Sequence, residues 1–261
     1  MIPKTIHFIF GLNEDFGGRP FAMYHYMAVL SAKIVNEGYD IIMHYYYEPV
    51  NNEWWERTKQ IAKMVKLVET PTIICGMDVK RHAHRADWVR LEILKSEGGI
   101  YLDIDTICIN PFDSLLNVKE GLVMGLEMWQ GKINGLCNAV IMAERGHRFI
   151  IVWQAEFYDF EPRDYNKFAV RIPWRIAIQH PGWIHMEPPE SFFRLNWNEE
   201  DLKLMFEKTI SFERSYCSHL LHNDSQYWLS KLTLDDIWSK DTSYNLIARE
   251  ILTKAQNQSI Y

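Results

Sequence analysis

Along the chain, short apolar runs alternate with longer stretches whose apolar positions recur at helical spacing. The first run, Thr5 to Phe10 within about residues 4–10, is bounded by Pro3 and Gly11 and has the character of a central strand. A helix is expected from about Phe21 to Glu37, stopped at Gly38, and a strand from Asp40 to Tyr46. An asparagine-capped helix over 51–65 and a short strand at 65–68 complete the first third. Ala86, Val89, Ile93, Leu91 and Leu94 then share one helical arc. Gly98-Gly99 supplies a left-handed stop, and Ile100-Tyr101-Leu102 suits a strand. Strand–helix alternation at this spacing predicts a parallel α/β sheet.

Further on, 121–127 and 138–143 are strand-like, with a polar loop, Met128 to Gly135, between them. Helices are expected over 146–160, 198–208 and 233–256, whereas prolines and aromatics between 161 and 197 break every periodicity. With 261 residues, 48% of them hydrophobic, the chain can bury a full core, and no repeat or low-complexity linker divides it.

The candidate chemistry sits where the Gly98-Gly99 strand gives out. Asp103 and Asp105, two apart, converge on one side, and paired carboxylates at a strand end suit a hard divalent cation such as Mn²⁺ or Mg²⁺. Asp87 and Arg90, three apart, share a face of the preceding helix. Each feature also has a plain reading: a surface ion pair for Asp87–Arg90, a strand residue in Tyr101, turn caps in the two aspartates. A net charge of −6 with dispersed Lys and Arg excludes a basic field for nucleic acid. Cys75, Cys108, Cys137 and Cys217 lie far apart with no Cys-x-x-Cys, which argues against zinc. Gly17-Gly18 has neither dinucleotide nor Walker spacing.

Taken together, Ala86-Asp87-Trp88-Val89-Arg90 followed by Gly98-Gly99-Ile100-Tyr101-Leu102-Asp103-Ile104-Asp105 resembles the glycosyltransferases with a DxD-containing sugar-binding region. These are the Och1-like enzymes and, more distantly, the large clostridial glucosylating toxins. Ile2-Pro3-Lys4-Thr5-Ile6-His7 through Gly11 is similar to the same families' opening strand, with Phe10 in place of a tryptophan. Close resemblance covers about residues 2–12 and 82–145.

The resemblance implies a GT-A-type, Rossmann-like mixed sheet flanked by helices, with an α-helical C-terminal annex. Residues 1–145 would be the nucleotide-sugar core and 146–261 the acceptor side and lid of a single catalytic domain. It implies metal on Asp105 with help from Asp103, donor contacts from Asp87, Arg90, Tyr101 and Asn138, and base packing near Ile9 and Phe10. Glu127 could line the same pocket.

A late loop, Tyr216 to Trp228, would close over the diphosphate; it offers His219 or His222 as a third ligand, His219 slightly favoured, and Trp228 against the phosphates. The expected activity is retaining transfer of a hexose to a glycan, or to a protein, from UDP-sugar in preference to GDP-mannose. The alternative is a decayed relative that binds nucleotide sugar or saccharide without turnover. A phosphohydrolase would need further His or Asp ligands near the same strand, and the sequence supplies none there. With no signal peptide and no apolar run long enough to span a bilayer, a cytoplasmic location is expected, peripheral at most to the inner membrane face.

Overall fold

The computed structural model describes residues 1–164 and 166–260. Its first elements are β1 (Thr5–Phe10), α1 (Met23–Val35), β2 (Asp40–Tyr45), α2 (Glu53–Lys59) and β3 (Lys63–Lys66). A small hairpin, β4 (Ile73–Ile74) and β5 (Met77–Asp78), precedes α3 (His82–Ser96), which runs into β6 (Gly99–Leu102) and β7 (Thr106–Cys108). Then come β8 (Leu122–Trp129), β9 (Lys132–Ala143), α4 (Arg148–Ala155), α5 (Ile172–Gln179), β10 (His185–Glu187) and α6 (Pro189–Phe192). The chain ends with α7 (Glu199–Phe206), β11 (Cys217–His219), α8 (His222–Leu229), α9 (Leu234–Ser239) and α10 (Ser243–Asn257).

Seven strands form the main sheet in the order β10-β8-β9-β6-β1-β2-β3. β6, β1, β2 and β3 are parallel, as are β8 and β10, while β9 is antiparallel to both of its neighbours. The sheet is therefore mixed rather than wholly parallel. The cause is local: Gln130 (φ 49°) and Gly131 (φ 74°) make a two-residue turn that folds β9 straight back on β8. So short a connection permits only an antiparallel return. The polar loop expected over 128–135 is accordingly mostly strand.

Both faces of the sheet are covered, and the side chains divide between them with period two. Ile6, Phe8 and Phe10 of β1, Ile100 and Leu102 of β6, and Val140 and Met142 of β9 pack with α1 and α10. Ile9, Tyr101, Ile141 and Ala143 take the opposite side, with α3, α4 and α5. His7 also faces that side; its Nε2–H donates to the Gly98 carbonyl (3.1 Å), so its Nδ1 accepts from His44 Nε2 (3.0 Å).

The C-terminal part is helical, as expected, but its boundaries follow caps that the hydrophobic pattern passes over. Thr233 accepts from the Asp236 N–H and Thr242 from the Asn245 N–H, so the single helix read over 233–256 is two. Between 161 and 197 a π-helical turn, Lys167–Arg171, runs into α5, followed by the edge strand β10. Residues 216–228, expected as a lid loop, form β11, paired antiparallel with β7, and then α8. No helix among the described residues is long and apolar enough to cross a membrane.

Candidate active site

The site begins at the α3–β6 junction. Gly98 (φ 70°) and Gly99 (φ 100°) turn the chain, and a Cβ on Gly99 would lie 2.7 Å from the Thr5 carbonyl oxygen of β1. Glycine is what allows β6 to enter the sheet here. The strand stops at Leu102. Asp103 N–H still bonds to Ala139 O (2.8 Å), and Thr106 N–H bonds back to Asp103 O (2.9 Å), which closes a tight turn. Asp103 and Asp105 therefore project from a turn at the carboxyl end of β6, not from the strand itself.

Pairing of β7 with β11 sets Thr106 opposite His219, and this long-range pairing brings the late histidines to the aspartates. Leu220 N–H bonds to Asp105 O (2.8 Å). Leu221 then takes a left-handed conformation (φ 55°), and the His222 N–H at the head of α8 donates to Asp105 Oδ2 (2.8 Å). His219 Nε2 lies 3.3 Å from Asp105 Oδ2 and 4.0 Å from Asp103 Oδ2, and His222 Nδ1 lies 3.5 Å from Asp105 Oδ2. Burial opposes charge on Asp105, yet His219, His222 and these hydrogen bonds hold it below the usual carboxylate range. Burial likewise opposes charge on His219, but the Asp105 carboxylate outweighs it and raises the imidazole to about 9.

One ligand atom each from Asp103, Asp105 and His219 lies within 4.8 Å of the others. A single six-coordinate cation with ligands at roughly 2.0–2.6 Å spans such a set. Two carboxylates and one imidazole suit Mn²⁺ or Mg²⁺ better than a thiolate-seeking ion. The residues present fit a divalent cation, with His219 rather than His222 completing the cluster.

Asp87 and Arg90 stand behind Asp103. Arg90 is 3% exposed, and its Nε–H donates to Ala86 O (3.1 Å). Nη1 reaches Asn138 O (2.7 Å) and Asp103 Oδ1 (3.0 Å), and Nη2 lies 3.3 Å from Asp87 Oδ1. The guanidinium also covers the Tyr101 ring at 4.4 Å. Asn138 Nδ2 donates to Asp87 Oδ1 (2.7 Å), and Tyr101 OH donates to Asp103 Oδ1 (2.7 Å). Most of Arg90's hydrogen-bonding capacity is thus engaged with the protein. Its geometry is that of a clamp holding Asp103 in place.

All of these side chains line one cleft of about 390 Å³, together with Ile9, Phe10 and Glu127. Phe10 presents little to it: Phe16 stacks on its ring at 5.6 Å, and Phe21, His25 and Trp55 surround the rest. Trp228 is elsewhere. It stacks on Phe206 of α7 (5.6 Å) and its indole N–H donates to Glu207 (2.9 Å), because α8 turns that side chain toward the C-terminal helices. The expectation that it lies over the phosphates is corrected accordingly.

Sequence reading missed Arg19, His25, His82 and Trp197, which also line the cleft. Arg19 Nη1 donates to Asn223 Oδ1 (2.6 Å), which ties the loop before α1 to the start of α8. Its place immediately after Gly17-Gly18 was a usable signal; the others carry no spacing that marks them.

Residues 23–121 match the family described as "Glycosyltransferase sugar-binding region containing DXD motif". Over 97% of its length the chain is 30% identical to glucan organizing enzyme 1 of Cryptococcus neoformans var. grubii, and it spans 71% of that protein. An alignment 81 positions long, covering 24% of the chain and 21% of the relative, shows 32% identity to the initiation-specific alpha-1,6-mannosyltransferase of Candida albicans. Among solved structures, the apo glycosyltransferase GlyE of Streptococcus pneumoniae TIGR4 shares the fold at a TM-score of 0.55 and 11% identity, over 99% of this chain and 64% of that one.

Proposed function

Since the chain belongs to the glycosyltransferases with a DXD-containing sugar-binding region, we propose that it moves a hexose from a nucleoside-diphosphate sugar to a glycan acceptor, with retention and under Mn²⁺ or Mg²⁺. UDP-sugar is the first candidate donor and GDP-mannose the second. The observation that carries this reading is the Asp103–Asp105–His219 cluster opening on the cleft. A divalent cation held there would supply a Lewis acid for the charge that develops on the departing diphosphate.

The protein's own groups do the rest. Arg90 and Tyr101 fix the Asp103 carboxylate, so its approach to the donor is set before binding. Arg19 brings a permanent positive charge to the cleft wall, the kind of group that pairs with phosphate oxygens. Burial holds His25 down at about 3, and His82 is lowered too, so both offer neutral ring nitrogens rather than competing cations. The names of the fungal relatives, one concerned with glucan and one with mannosyl transfer, support a growing polysaccharide as acceptor.

The experiment is a thermal-shift panel of UDP-, GDP-, CMP- and dTDP-sugars, each with and without Mn²⁺. Saturating ligand at about 100 Kd adds roughly 2.7 kcal/mol. For a chain of this size that amounts to a rise on the order of 5–10 °C in Tm for one nucleotide, in the presence of metal only. No shift with any member of the panel refutes the proposal.

A further inference from the structure

We propose that the free end of the β8–β9 hairpin is the acceptor subsite of the cleft, in which Trp197 carries the apolar face of a pyranose and Glu127 accepts hydrogen bonds from its hydroxyls. This rests on the reading of the cleft as a glycosyl-transfer site.

Glu127 is 8% exposed and lines the cleft; no ion pair joins it to a cationic side chain among the described residues, and the His219 imidazole is the cationic group near enough to feel its charge. The Asn134 side-chain amide, across the hairpin, donates to its Oε1. A buried carboxylate without a counter-charge is costly unless donors satisfy it. The Asn134 amide and the Cys137 thiol, which also hydrogen-bonds to it, leave accepting capacity unused, and sugar hydroxyls are donors of the right kind. The β8–β9 register shifts on either side of it, between Met124 and Gly125 and between Glu127 and Met128. Such irregularities re-aim a side chain that regular pleating would direct elsewhere.

Trp197 lies on the same wall and is braced from behind by Trp129, stacked at 4.6 Å with 11° between the planes. A ring pre-set in this way offers a flat apolar surface at low entropic cost. The wall is rigid below as well. A Cβ on Gly135 would come within 2.6 Å of Val170 Cγ1, so the hairpin seats directly on the 167–171 turn, whose Ala169 and Val170 also face the cleft. The metal cluster and the Arg90 side chain lie on the turn after β6, on β11 and on α3, and meet the hairpin at Asn138, well along β9 from its turn, which leaves the free end for a second substrate.

The test uses the full chain with Mn²⁺ and the nucleoside diphosphate that the donor panel selects. Methyl α-glucoside, methyl α-mannoside, methyl α-galactoside and their α-linked disaccharides are titrated by calorimetry and saturation-transfer NMR. At least one should bind, with saturation concentrated on the C–H protons of a single ring face. Trp197→Ala and Glu127→Gln should each weaken it about tenfold or more, and Trp197→Phe should recover most of the loss. The metal-dependent nucleotide affinity of each variant should stay within twofold of the parent. Sugar binding equal to the parent in both variants, joint loss of sugar and nucleotide binding, or no binding of any sugar by the parent overturns the assignment. Failure of the parent to bind any nucleoside diphosphate would instead sink the transferase reading itself.

Discussion

Replacement of Arg90 by lysine separates two roles that the sequence leaves merged. If Arg90 were chiefly a donor-sugar ligand, the lysine variant would fold as well as the parent and lose donor affinity alone. As a clamp, the guanidinium joins Asp87, Asp103, the Asn138 carbonyl and the Ala86 carbonyl at distances of 2.7–3.3 Å, while 3% exposed. A lysine ammonium keeps the charge but cannot present a planar fork to groups on α3, β9 and the β6 turn at once. At least one of Asp87 and Asp103 is then left inside without its partner.

Breaking a buried pair in this way costs about 3–5 kcal/mol. At roughly 2–4 °C per kcal/mol for a chain of this size, Tm should fall by about 10 °C. Differential scanning calorimetry without metal measures it directly. The metal-dependent increment in Tm should shrink as well, because Asp103 loses the contact that aims it. A Tm within 2 °C of the parent, accompanied by weakened donor binding, would refute the clamp.

Asp105→Asn should abolish the Mn²⁺-dependent rise in Tm, with EDTA no longer lowering the variant's Tm; an undiminished rise would place the cation elsewhere. Trp228→Ala should lower Tm by a few degrees through lost packing on Phe206, with transfer rate kept within about twofold, as a rate assay alongside calorimetry would report. Acid should act through the buried His7–His44 pair. Burial holds His7 at about 4 and His44 at about 3, against 6.5 when exposed. The unfolded chain therefore takes up protons first, and stability present above pH 6.5 is lost as pH falls toward 4, by about 3 kcal/mol for His7 alone. Urea unfolding between pH 7 and 4.5 should show this slope, and His44→Gln, whose amide can still donate to His7 Nδ1, should flatten it by up to about 1.4 kcal/mol per pH unit. An unchanged slope would rule the pair out as its source.

How much of the molecule was legible in the chain follows from which contacts are local. The run from Ala86 to Asp105 contains its own instructions: a helix, two glycines with positive φ, a four-residue buried strand and a turn, all set by neighbours in sequence. Asp87, Arg90, Tyr101, Asp103 and Asp105 could accordingly be named together, although whether Arg90 meets sugar or protein depends on Asn138, 48 residues on, and could not be read. His219 reaches the cluster only through the three-residue pairing of β11 with β7, too short to leave a period-two signature, so it stood only slightly ahead of His222 until the fold placed it. Trp228 erred for the same reason in reverse: its proximity in sequence to those histidines suggested the cleft, but one turn and a half of α8 points it toward Phe206. Trp197 shows a different limit, and Glu127, which could be named as a pocket residue but given no role, shares part of it. The bulge that directs Glu127 into the cleft, and the Trp129 ring that braces Trp197 from 68 positions away, belong to the geometry of a hairpin. The proposed donor-side residues from Asp87 to Asp105 are thus inscribed in one continuous stretch, to which the fold adds Asn138 and His219, whereas the proposed acceptor wall is assembled from separate ones, and composition alone does not mark it.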